Sequence, residues 1–99
     1  MAAATATARA VDSLNPFQRA YLDTLTTLAG WRVAQDREIQ VMHWAYVGEA
    51  SQADVADARA LTKKAHRAYT SARARYNRLS TLVAIQAGSR AALAAMGNR

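Results

Sequence analysis

Tyr46-Val47-Gly48-Glu49-Ala50-Ser51-Gln52-Ala53-Asp54 reads as a helix stop followed at once by a helix start. Gly48 suits a C-terminal cap, where a left-handed residue closes the last turn. Ser51 with Asp54 three residues on has the form of a capping box, with Asp in place of Glu. Asp54 and Asp57 then fall in the first turns of a new helix, where the dipole favours negative charge. Upstream, Asn15 is a good N-cap and Pro16 fits the first helical position. From there Phe17, Tyr21, Leu25, Leu28, Ile39, Met42 and Tyr46 recur with a helical period. The pattern predicts one helix over residues 16–47, about 48 Å long, with room for a kink at Gly30.

Downstream, Leu61, Ala65, Tyr69, Ala72, Tyr76, Leu79 and Val83 alternate spacings of four and three. That is the pattern of a coiled-coil seam, and it predicts a second helix over residues 52–87. Gly88-Ser89 then offers a break before a short tail helix over 90–96, unless one helix runs through. A short turn between two long helices makes them antiparallel neighbours. The fold expected is all-α, a long antiparallel helical hairpin forming one domain over residues 13–99. Residues 1–12 read as a flexible or partner-docked arm.

The composition shows how thin the core of such a hairpin must be. Of 99 residues, 25 are alanine, and Leu, Ile, Val and Phe together number only 17. That is below the share of roughly one-fifth that accompanies a self-sufficient core. Alanine promotes helix but buries little apolar area, so helices form readily while the unit stays incomplete. The absence of cysteine removes disulfides, thiolate catalysis and Cys-ligated metal. No uninterrupted apolar run approaches the ~20 residues that span a bilayer, so no transmembrane segment is expected. The start lacks the basic and Leu-rich regions of a secretory signal, which favours cytoplasmic synthesis followed by assembly into a larger particle. Eleven Arg against two Lys, amid so much Ala, has the flavour of a GC-rich bacterial or bacteriophage genome.

Charge is distributed unevenly along the chain. All seven acidic residues precede Ala58, whereas the remaining 42 residues carry nine basic groups and no carboxylate. Helical projection gathers Lys64, Arg67, Arg75 and Arg78 into one stripe beside the second-helix seam. Such a stripe is either a solvated face or a footprint for an acidic protein surface, phosphates or anionic lipid. No zinc-finger spacing, Gly-rich loop or short recognition helix accompanies it, so any nucleic-acid contact would be directed at the backbone and sensitive to salt.

Trp31 and Trp44 fall to either side of the apolar face of the first helix and are candidate anchors for a partner interface. Arg32 and His43 sit on that same face, where long polar side chains usually reach out to solvent. His43 and His66, the only histidines, lie about ten residues out of register in the hairpin, which disfavours a shared metal. The carboxylates are dispersed and no His–acid pair singles out a nucleophile, so neither a cofactor nor an enzyme is expected. The hairpin outline resembles the small secreted WXG-type proteins, but Trp44 and Gly48 stand four apart and the Trp-x-Gly signature is absent.

These features predict a non-enzymatic structural subunit of a bacterial or bacteriophage assembly, such as a virion or secretion machine. Its partners would be further copies of itself or other protein subunits, with the basic half facing an acidic surface or nucleic acid. The alternative is a small sequence-nonspecific nucleic-acid-binding protein. A peripheral membrane helix is a weaker third reading, because the apolar face is rich in Ala and Tyr rather than Leu and Phe.

Overall fold

A computed structural model of the chain describes residues 13–97; the arm expected over residues 1–12 lies outside them. The described residues form two helices, α1 (Pro16–Tyr46) and α2 (Gln52–Gly97), packed side by side as an antiparallel hairpin. The radius of gyration is 21.0 Å and the longest extent 76 Å. A compact chain of this length would have a radius near 13 Å, so the molecule is a rod.

Both junctions are set by local chemistry. The Asn15 side chain accepts from the Gln18 N–H at 2.8 Å, and Gln18 Oε1 accepts from the Asn15 N–H at 3.1 Å. This reciprocal pair satisfies two of the donors that every helix start leaves orphaned. At the far end of α1, Gly48 adopts φ 81°, the only positive value among the described residues. The Glu49 N–H then bonds to the Trp44 carbonyl at 2.7 Å and the Gly48 N–H to the Ala45 carbonyl at 3.2 Å. That is a Schellman closure, and it reverses the chain. Ser51 and Asp54 form the second reciprocal cap, at 2.8 and 3.1 Å.

The seam is narrow and lined by small residues. On α2 it runs through Val55, Ala58, Thr62, Ala65, Tyr69, Ala72, Tyr76 and Leu79, all buried or half-buried. On α1 it runs through Phe17, Ala20, Thr24, Thr27, Trp31, Ala34, Glu38, Val41 and Ala45, also buried or half-buried. Both rows keep the three–four spacing of a coiled coil. Thr24 Oγ1 donates across the seam to the Ala72 carbonyl at 3.4 Å, and Thr62 Oγ1 to the Ala34 carbonyl at 3.1 Å. Side-chain hydroxyls reach the opposing backbone only where the helices approach closely, and alanine permits that approach.

The structure corrects two expectations about the helices. α2 runs without a break through Gly88 and Ser89, so there is no separate helix over 90–96. One glycine costs about 1 kcal/mol relative to alanine, too little to end a helix that alanine-rich flanks propagate on both sides. α1 likewise passes through Gly30 as one element. With 46 residues against 31, α2 outruns α1, and every residue from Thr81 to Gly97 is exposed.

The larger correction concerns the α1 seam. Tyr21, Leu25, Ile39, Met42 and Tyr46 are exposed, Tyr46 at 90% and Ile39 at 66%. Only Phe17 and Leu28 of the row predicted from the sequence are even half-buried. From Tyr21 onward the seam sits one residue earlier than each predicted position, at Ala20, Thr24, Thr27, Glu38, Val41 and Ala45. One residue is about 100° of helix rotation, so the largest apolar side chains stand on an adjacent face. On α2, Leu61 and Val83 are exposed too: Leu61 flanks the seam, and Val83 continues it beyond the reach of α1.

Candidate assembly surface

The hairpin uses both tryptophans internally. The Trp31 ring stacks on Tyr69, with centroids 5.5 Å apart and planes at 21°, and tilts against His66 at 4.5 Å. Trp44 packs on the cluster of Val41, Val55 and Ala58, and the Arg37 guanidinium lies 5.0 Å over its ring. Each half-buried ring thus packs against its own second helix and keeps its other side open at the border of the hairpin. Phe17 stacks on Tyr76 at 5.3 Å, and Tyr21 touches the same ring at 5.7 Å from the seam's border.

What remains outside is unusually apolar. Only Ala20, Val41, Val55 and Ala58 are buried among the described residues, whereas 13 large apolar residues are exposed. Ten of the 13 fall into two groups. The first is the α1 row of Tyr21, Leu25, Ile39, Met42 and Tyr46, interrupted by exposed Arg32 and half-buried Gln35. The second is the projecting end of α2, where Leu82, Val83, Ile85, Leu93 and Met96 are uncovered. By length and composition α2 contains a stretch apolar enough to cross a membrane, none of it buried. From Ser80 to Gly97 the only charge is Arg90, close to the middle. Arginine at a bilayer midplane costs about 2.5 kcal/mol or more, which opposes a spanning role for this segment.

The two edges of the rod differ in chemistry. Along one, Met42, Ala45 and Tyr46 of α1 lie beside Gln52, Val55 and Arg59 of α2. Along the other, Gly30, Val33 and Ala34 face Leu61, Ala65 and Ala68 across an open groove of about 500 Å³, with Arg37 and Lys64 at its rim.

Lys64, Arg67, Arg75 and Arg78 are all exposed on the outside of α2. None of them makes an ion pair among the described residues; the pair that forms is Arg59 with Glu38, at 3.9 Å. Arg32 and His43 are exposed. No group of three or more His, Asp or Glu residues that could hold a metal occurs among the described residues. Asp54, which lines a second groove near the turn with Asp57 and Glu49, is committed to capping. Hydrogen bonds from the Ser51 backbone and hydroxyl hold its carboxyl below the usual value. Comparison with protein-family models, with curated proteins and with solved structures finds no match.

Proposed function

We propose that this chain is a non-enzymatic assembly subunit that completes its core by helix–helix packing with other chains. One observation carries the reading: among the described residues four are buried while 13 large apolar ones are exposed. A soluble monomer rarely leaves contiguous apolar surface of that kind uncovered. At roughly 25 cal/mol per Å² of apolar area removed from water, covering the α1 row or the projecting end of α2 stabilises the molecule. Composition makes a bacterial or bacteriophage particle or secretion machine the natural setting for such a subunit.

A second reading is favoured by the basic residues of α2. Lys64, Arg67, Arg75 and Arg78 are solvated and unpaired among the described residues, so they are available to phosphates or to an acidic protein. Contacts of this kind weaken steeply with salt, whereas apolar packing does not.

Light-scattering mass after size exclusion, at low and high salt and with and without short duplex DNA, separates the two. A stable oligomer indifferent to DNA is the expected result. A folded monomer across all accessible concentrations overturns the assembly reading, and a monomer that shifts on DNA at low salt only establishes the second.

A further inference from the structure

The exposed row of α1 is self-complementary, and we infer that its partner is a second copy of this chain, docked antiparallel across a two-fold axis. This rests on the assembly reading and specifies the first joint of the assembly. The row keeps spacings of four and three throughout, which is the geometry of a helix-pairing seam. Its midpoint falls between Val33 and Ala34. Reflected through that midpoint, Tyr21 meets the position of Tyr46, Leu25 that of Met42, and Leu28 that of Ile39.

The two polar interruptions are mirror mates as well: Arg32 falls opposite Gln35 of the second copy. A two-fold interface requires this self-matching, because each residue meets its mate twice. No polar side chain is therefore set against an apolar one anywhere along the joint. Asp36 follows Gln35 directly, so each Arg32 also comes beside a carboxylate of the other chain at the centre. Parallel pairing in register would instead stack Arg32 on Arg32, a like-charge contact that opposes association.

Arg59 lies on the same edge as Met42 and Tyr46, but it is paired with Glu38 of its own chain at 3.9 Å, so it brings no unpaired charge to the border of the joint. The joint is apolar for most of its length, and burial of apolar surface is not screened by salt. The dimer therefore persists at high ionic strength, unlike a phosphate-directed contact.

The chain has no cysteine, so introduced thiols report the geometry cleanly. The expected result is that Tyr21→Cys mixed with Tyr46→Cys forms an intermolecular disulfide, while neither variant cross-links alone. Like positions would lie about 37 Å apart along the antiparallel pair, far beyond the ~7 Å that a disulfide tolerates between Cα atoms. Helicity by circular dichroism checks that both variants fold. As a second measurement, Leu25→Glu weakens dimerisation by more than about tenfold, and adding Met42→Lys in the same chain restores it, because the new charges meet only between copies. An associating wild-type chain in which Tyr21→Cys cross-links to itself, or in which Met42→Lys fails to restore, overturns this joint and leaves the assembly reading standing. A folded wild-type monomer overturns both.

Discussion

The Thr62 hydroxyl donates to the Ala34 carbonyl on the opposite helix at 3.1 Å while also reaching its own Ala58 carbonyl at 3.1 Å. Thr24 repeats the arrangement with Ala72 and Ala20 at the other end of the hairpin. Helices that approach this closely have no room for larger residues at the alanine positions between them. Ala58→Leu is expected to overpack the seam and destabilise the hairpin by about 1–3 kcal/mol. Leu61→Ala, only three residues on but exposed, should change stability by no more than about 0.5 kcal/mol. Urea unfolding of the two variants checks the seam register. Equal losses would place the seam elsewhere.

Trp31 stands at the centre of the one aromatic cluster that ties the middle of α1 to α2. Its ring is half-buried against Tyr69 and His66, so Trp31→Ala should cost roughly 2–4 kcal/mol, less than truncation of a fully enclosed ring. A double-mutant cycle with Tyr69→Ala should return a coupling of about 0.5–1.5 kcal/mol for the stacked pair. The oligomeric mass of the folded fraction should not change, because Trp31 is off the exposed row. A change in mass with stability intact would return Trp31 to the partner surface.

The hairpin was legible in the sequence because its ends are written in local chemistry. Asn15-Pro16, Gly48 and the Ser51–Asp54 pair need no tertiary information to specify where helices start and stop. The α2 seam was legible too, since Tyr69, Tyr76 and Leu79 stand out among alanines at the right spacing. The α1 seam was not. Its members Ala20, Thr24, Thr27, Ala34 and Glu38 carry little hydropathy signal, while Tyr21, Leu25, Ile39, Met42 and Tyr46 form a stronger row one step away. Periodicity finds the most apolar face, and here that face is not the one the second helix covers. A signal was nonetheless present: an α2 seam built on Ala65 and Ala72 demands a closely approaching partner, which favours the threonine and alanine row over the bulky one.

Asp54 supplies a pH-dependent test of the α2 start. The Ser51 N–H donates to the Asp54 carboxylate at 2.8 Å, the Ser51 hydroxyl accepts from the Asp54 N–H at 3.1 Å, and the Ser51 N–H first and the hydroxyl second hold the carboxyl below the ordinary 3.8. A carboxyl whose value is depressed on folding contributes stability that is fully present above the unfolded value. That contribution is lost as pH falls through the unfolded value towards the folded one. The first turn of α2 should therefore loosen only below about pH 4. Ser51→Ala removes the hydroxyl but keeps the larger backbone contribution, so the Asp54 titration, followed by carboxyl NMR shifts, should move only part of the way back up towards 3.8. An unmoved titration would show that the hydroxyl adds nothing and that the Ser51 N–H alone holds the carboxyl down.

The projecting end of α2 is a helix without a partner in its own chain. Seventeen residues make only a marginal helix alone in water, so the segment 81–97 gains from growing out of a seam already formed. Ending the chain after Ser80 should leave the hairpin's unfolding free energy within about 0.5 kcal/mol, because no described residue in the deleted segment is buried. Helical ellipticity should fall in proportion to the residues removed. In the intact chain, amides beyond Ser80 should exchange far faster than those of Val55 to Leu79, since opening there breaks no interhelix contact. Strong protection of the tail amides would mean that a second chain covers Leu82, Ile85 and Leu93, making the projecting end a joint of the assembly in its own right.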